Sequence, residues 1–490
     1  MTRSKKLIIL IVILGVLCAA FAAVKISNDK TAAAEEAATN ISILAAAEDT
    51  VSDISWTYNS ETVELTNNDG TWEYAEDASF PLNTTYVTNM LTTLSDVTAT
   101  KEMDEPSDGD LSAYGLDEPS STITVTADGT TTTLSFGGES SISGETYVST
   151  GNGKIYLVDS SVLDNFSYGL MDLVQCETVP SIYYISDVTI ESGDETTVIE
   201  KKEDSGLAYD DSYVWFMKDG NSYLTLDTEL TDDFLDTVKG LIFSSCVNYN
   251  ATDEELEEYG LLDPTVDVTF NYTAENLVDT DETDEDGNVI QETVEEPATY
   301  VFHLSPGYVR VNDSRMVYAV DESVCSTMQY TTYSDLRPDE VLIMDWDTVD
   351  SVDMTIDGKT YTFESNTREV EADTEDSSSE TSSSSDSSES GTTTETYWTY
   401  DGNEVAAGDV FDTITSLEST GDALGISPSR SEEITFTIHR QSDTYPDVTL
   451  TFYQYDSESC LTVLNDDSTV FVSRSSISDL VDAAKALVTT

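Results

Sequence analysis

Basic residues are scarce in this chain of 490 residues, which has 20 Lys and Arg against 96 Asp and Glu and a formal net charge of −76. Without clustered Lys and Arg nothing neutralises phosphates, so nucleic acid is excluded as a partner. Histidine is nearly absent, with two residues, and there are five Cys. The sequence has no G-x-x-x-x-G-K, no G-x-S-x-G, no H-E-x-x-H and no C-x-x-C, so no signature of phosphate-loop, serine-hydrolase, zinc-protease or dithiol chemistry is present. Apolar material is not lacking: 39% of residues are hydrophobic, with 26 Tyr and 14 Phe. That excludes wholesale disorder, and the length suits about three domains.

Long apolar runs are missing with one exception, Leu7 to Val24. At about 1.5 Å per residue its 18 residues span roughly 27 Å, close to a hydrocarbon core of about 30 Å. Arg3, Lys5 and Lys6 precede it, and all 96 acidic residues follow it, leaving +3 before the run and −79 after. The positive-inside bias then sets residues 1–27 as a cytoplasmic head and single-pass membrane anchor, with the bulk of the chain extracytoplasmic. Ala20-Phe21-Ala22 would also fit a cleavage site. Residues 28–50 read as an Ala-rich stalk.

What remains contains one unit three times. Tyr114-Gly115-Leu116-Asp117-Glu118-Pro119 returns as Tyr259-Gly260-Leu261-Leu262-Asp263-Pro264, and in degraded form as Leu424-Gly425-Ile426-Ser427-Pro428. Upstream of each lies a Trp strand carrying Trp72, Trp215 or Trp398. Helical spacing separates the two landmarks in each copy, at Tyr86, Val87, Met90, Leu91, Leu94, Val97, then Phe234, Leu235, Val238, Leu241, Ile242, then Val410, Phe411, Ile414, Leu417. Alternating segments around tight turns such as Asp128-Gly129 and Asp357-Gly358 predict antiparallel hairpins. The expected class is α+β, three tandem units (51–185, 186–347 and 348–490) reading β-β-β-α-β-β-β-β-α. Two segments interrupt this pattern, an acidic one at 275–296 and a Ser/Thr/Glu tract at 368–396. Neither has apolar area to bury, so both are expected as mobile loops.

The anchor, the Trp strand, the Tyr-Gly-Leu-x-x-Pro turn, the Tyr-x-Val strand and the closing Ser334-Asp335-Leu336-Arg337 together resemble the bacterial family catalogued as domain of unknown function 4340, over most of residues 51–347. The third unit departs most, having lost the Tyr of its turn. The resemblance offers no catalytic residue. It implies a membrane-tethered accessory or binding ectodomain, auxiliary to an ABC-type transport system, with transporter subunits as candidate partners.

The remaining chemistry is sparse. His303 and His439 sit in strand patterns, and Ser27-Asn28-Asp29-Lys30 abuts the membrane. Cys176, Cys246, Cys325 and Cys460 occupy non-equivalent places in the repeats, which favours unpaired thiols, and Cys325 replaces the core aliphatics Leu163 and Ile477. Glu282, Asp284 and Asp286 mimic the start of a calcium loop, but position 12 is Thr293, which favours a solvated insertion. No catalytic, cofactor or firm metal residue follows. The expected function is a non-enzymatic, extracytoplasmic interaction protein; alternatives are an envelope glycan- or peptide-binding ectodomain and an unrecognised hydrolase.

Overall fold

A computed structural model describes residues 40–203, 205–283, 289–371 and 392–489. The chain divides into two compact units, one running to Thr178 with Ile242–Thr252 and Arg315–Ala319, the other holding Val179–Leu241, Asp253–Ser314 and Val320–Thr490. The apolar run 7–24 lies outside the described residues, among which no helix is long and apolar enough to cross a membrane.

The first repeat supplies β1 (Ile41–Leu44), β2 (Val51–Tyr58), β3 (Glu61–Asn68), β4 (Thr71–Tyr74), α1 (Thr84–Ser95), β5 (Val97–Asp104), β6 (Ser121–Ala127), β7 (Thr130–Glu139), β8 (Thr146–Ser149) and β9 (Lys154–Val158). They form one sheet in the order β1-β5-β9-β8-β7-β6-β2-β3-β4.

The second repeat supplies β10 (Tyr184–Ser192), β11 (Glu195–Lys201), β12 (Trp215–Asp219), β13 (Ser222–Thr225), α2 (Thr228–Lys239), β14 (Cys246–Asn248), α3 (Asp253–Glu258), β15 (Val266–Thr283), β16 (Val289–Ser305), β17 (Tyr308–Val311), β18 (Val317–Ala319), α4 (Glu322–Tyr330) and α5 (Tyr333–Leu336). The sheet order is β13-β12-β11-β10-β15-β16-β17-β18-β14.

The third repeat supplies β19 (Val349–Ile356), β20 (Lys359–Glu371), β21 (Thr392–Tyr400), β22 (Asn403–Val405), α6 (Gly408–Thr415), β23 (Ser419–Asp422), β24 (Glu432–Arg440), β25 (Val448–Gln454), β26 (Ser459–Leu464), β27 (Asp467–Ser473) and α7 (Arg474–Thr489), ordered β22-β21-β20-β19-β24-β25-β26-β27-β23. From the opening hairpin to the strand after the helix, the three orders are the same. The pairings described are all antiparallel.

The same residues do the same work in each sheet. Ile54 faces Leu65 on one side and Val125 on the other; Val188 faces Ile199 and Phe270; Val352 faces Phe363 and Ile438. All nine are buried to within 1% of full, and each fully buried side chain of this kind contributes about 1.5–3 kcal/mol. Three residues before each central position the ladder slips, between Val51 and Asp53, Ile185 and Asp187, and Val349 and Ser351. In two copies a serine fills the bulge: the hydroxyls of Ser52 and Ser186 donate to the carbonyls of Thr126 and Asn271.

The Tyr-Gly-Leu landmark is a helix-ending Schellman motif. Leu116 N–H donates to Leu111 O and Gly115 N–H to Ser112 O; Leu261 N–H donates to Leu256 O and Gly260 N–H to Glu257 O. The glycines are left-handed, with φ of 67° and 70°, and the leucines are buried. In the third copy Ile426 N–H donates to Ala423 O, and Gly425 keeps φ 71°.

Several expectations are corrected. Each repeat has a strand that the β-β-β-α-β-β-β-β-α reading omitted, directly after its helix (β5, β14 and β23), pairing with β9, β18 and β27. Residues 41–50 are not stalk, because β1 joins the first sheet and Ala46 is buried. The closing helix of the first repeat is two 3-10 segments, Ser160–Phe166 and Leu170–Leu173. The helix expected to reach Ile242 ends at Gly240, leaving Ile242 exposed. The acidic insertion 275–296 is no loop in its described residues: β15 and β16 stay paired through Asp279 and Gln291, with the strand formers Thr, Val and Ile set among the acids. The Ser/Thr/Glu tract likewise begins and ends in strand, with Arg368 opposite Glu395; residues 372–391 lie outside the described residues.

A Cβ on Gly115 would stand 2.8 Å from Gly138 N, whereas one on Gly425 meets nothing within 4 Å. Gly115→Ala is therefore expected to destabilise its sheet by more than the roughly 1–2 kcal/mol of a left-handed alanine, and Gly425→Ala by about that amount alone. Thermal unfolding of the two variants checks the difference; equal losses would contradict the close approach.

Candidate functional site

The three Trp landmarks occupy one structural position. Trp72 faces Asn67, Trp215 faces Lys201 and Trp398 faces Ser365, each two places beyond the central residue of the neighbouring strand. Trp215 and Trp398 are core: Trp215 Nε1 donates to Asp232 Oδ1 (3.1 Å), and Trp398 packs edge-on to Phe411. Trp72 is half-buried. Tyr114 and Tyr259 pack against Tyr147 and Tyr308 at 5.0 Å between ring centres. Pro119 is exposed and Pro264 half-buried, each just ahead of the strand that follows its turn. The sequence landmarks thus support the sheets and are not gathered into one site.

The other candidates separate as well. Asp284 and Asp286 lie outside the described residues, as does the side-chain placement of Glu282, and no group of three or more His, Cys, Asp or Glu suited to a metal occurs among the described residues. His303 Nδ1 lies 2.5 Å from Asp267 Oδ1 and its Nε2 lies 3.0 Å from the carbonyl of Asn312. His439 sits between Asp447 (3.1 Å) and Asp353 (3.4 Å), and its hydrogen bond to Asp447 leads the effects that raise its pKa. Neither ring holds a hydroxyl or thiol, as nucleophilic catalysis needs. Cys176, Cys246, Cys325 and Cys460 are free thiols. Burial pushes the thiols of Cys246 and Cys460 up to about 11, which leaves them protonated and unreactive at neutral pH.

What the structure does bring together is a cavity of about 500 Å3 inside the second compact unit, where parts of the second and third repeats meet. One wall is the loop Leu207–Tyr213 and strand β13; another is the degraded turn Leu424–Pro428 and the tip joining β26 to β27. The repeats are tied there by hydrogen bonds: Asn465 Nδ2 donates to Tyr209 Oη (2.8 Å) and Val341 N–H to Leu417 O (3.0 Å). Burial raises the phenols of Tyr213 and Tyr333 to about 12, so both line the cavity as neutral donors.

Arg337 also lines it, 8% exposed. Its Nη1 donates to Pro338 O (2.9 Å). Its Nε lies 3.4 Å from Asp422 Oδ1 but is too poorly aligned for a hydrogen bond and has no other partner. The hydroxyl of Thr469, a second buried group lining the cavity, is equally unpartnered. The repeat shows how unusual Arg337 is. Leu173 O accepts from the N–H of Asn83, the cap of α1, and Leu336 O accepts from the N–H of Asp227, the cap of α2. The next residues are equivalent: Val174, buried at 5% exposure, and Arg337. A guanidinium stands where the fold elsewhere places an aliphatic side chain. Comparing the copies residue by residue at this position was the signal available in the sequence.

The fold and cavity define a class first: an α+β protein of repeated antiparallel nine-stranded sheets. Residues 72–205 match the family model described as Domain of unknown function (DUF4340). The match begins at the Trp strand of the first repeat and runs past the opening hairpin of the second, a shorter stretch than the expected 51–347. No curated protein and no solved structure matches the chain.

Replacing a buried, imperfectly paired charge by an aliphatic residue is commonly neutral or stabilising by about 1–4 kcal/mol. Arg337→Val, which restores the residue of the first copy, is expected to hold or raise the midpoint of urea unfolding. A loss above about 2 kcal/mol would make Arg337 a structural tie.

Proposed function

We propose that this chain is a membrane-tethered, extracytoplasmic, non-enzymatic accessory protein that works by binding other envelope proteins, transport subunits among them. The observation that carries this reading is the cavity of the second compact unit, where the repeat breaks its own rule with a buried, half-partnered arginine. Departures from a local rule are expected at functional or strained sites. The anchor run 7–24 and the −79 charge that follows it support the placement outside the membrane.

Photo-crosslinking in intact cells tests the reading. A photoreactive residue at Ser427, on the cavity wall, is expected to capture membrane or envelope proteins, and one at Thr132 in the first sheet is not. Protease added outside intact cells should cleave the chain beyond residue 40 and spare its N-terminus. Full protection of the chain, or equal capture from both positions, would overturn it.

A further inference from the structure

The cavity has one wall that is a sheet edge. Strand β13 is terminal in its sheet and pairs only with β12, in the register Phe216 to Thr225, Met217 to Leu224, Lys218 to Tyr223 and Asp219 to Ser222. All four of its residues line the cavity. The turn between the strands is the two-residue Gly220-Asn221, with Gly220 at φ 58°. In such a hairpin the closing pair is hydrogen-bonded and the pairs then alternate. The backbone N–H and C=O groups of Tyr223 and Thr225 therefore point away from β12, and among the described residues no strand meets them.

Charge adds a second constraint. Four carboxylates line the same space, Asp219, Glu340, Asp466 and Asp467, against the single cation Arg337. That composition repels acidic ligands and favours cations, which the rings of Tyr213 and Tyr333 also accept on their faces. Behind this lining stand two buried donors without a hydrogen bond, Arg337 Nε, 3.4 Å from Asp422 Oδ1, and the Thr469 hydroxyl. An extended peptide presents carbonyls along its length; a neutral glycan supplies no cation for the four carboxylates.

Resting on the reading of this chain as a protein-binding accessory, we propose that the cavity receives an extended, Lys- or Arg-bearing segment of the partner, which adds a strand to β13. Its main chain pairs with Tyr223 and Thr225, its carbonyls face Arg337 and Thr469, and its cationic side chains reach the carboxylate rim. Main-chain pairing gives such a complex its affinity and the rim its preference.

The test is fluorescence anisotropy with the full chain in detergent at physiological salt. The probe is a labelled decapeptide of alternating Lys and Thr. Its comparisons are the Glu-for-Lys peptide, the Lys/Thr peptide N-methylated at alternate residues, and a neutral chitin hexasaccharide. Tight binding by the probe is expected, at least tenfold weaker binding by the Glu and N-methylated peptides, and none by the sugar. Thr225→Pro removes an outward N–H without breaking the ladder to β12 and is expected to cost at least tenfold. Should that variant misfold, the triple variant Glu340→Gln, Asp466→Asn, Asp467→Asn, on exposed positions, gives the same tenfold loss. Equal binding of the N-methylated peptide would reduce the effect to bulk charge attraction and overturn the proposal, as would binding of the sugar alone. If crosslinks from Ser427 persist while no peptide binds, the accessory reading stands and this proposal fails; if both vanish, both fail.

Discussion

Each sheet depends on one pairing, that of the first strand of its opening hairpin with the strand that follows the glycine turn: β2 with β6, β10 with β15 and β19 with β24. The partners are separated in sequence by a hairpin, a helix and a turn. Closing so long a loop costs entropy that only dense burial offsets. The chain meets that cost with central residues that are almost completely buried, Ile54, Val188 and Val352, each flanked on both sides by other buried apolar side chains. The Schellman turns at Gly115 and Gly260 then serve a definite end: they stop the chain and aim it into the strand that must find its distant partner.

Much of this architecture was legible in the sequence. Alternation and the left-handed turn residues, Asn59-Ser60, Asp128-Gly129 and Asp357-Gly358, marked the hairpins. Ordered Trp and Tyr-Gly-Leu landmarks marked the threefold repetition, and the structure sets all three Trp at one register position. Two of the missed strands and the bulges share a cause. The short strands β14 and β23 have three and four residues, too few to show a period, and the bulges ahead of Ile54, Val188 and Val352 leave no periodic trace. The arms of the acidic hairpin failed for the opposite reason, since composition outweighed the strand formers Val278, Val289, Ile290 and Val294.

The site was less legible than the fold because it lies in departures from the repeat. Arg337 was read as part of a closing signature, and its meaning appears only beside its counterpart Val174. The third turn was read as decay; its residues Leu424 to Pro428 form a cavity wall. Ala423 and Ile426 still pack there with Leu461 and Val463 of β26, while a Cβ on Gly425 would meet nothing within 4 Å. Repetition builds three similar supports, and the unequal parts of the second and third copies shape one recess between them. The acidity belongs to the same picture: it is spread over the chain, and within the recess it leaves four carboxylates around one buried arginine.

The account's central claim is a firm sheet with one open edge facing a recess. Residue-resolved amide hydrogen exchange on the purified full chain tests it most directly. The account predicts the slowest exchange in β2, β6, β10, β15, β19 and β24, and exchange at Tyr223 and Thr225 as fast as in unpaired segments. Protection of those two amides to the level of β10 in the isolated chain would contradict it.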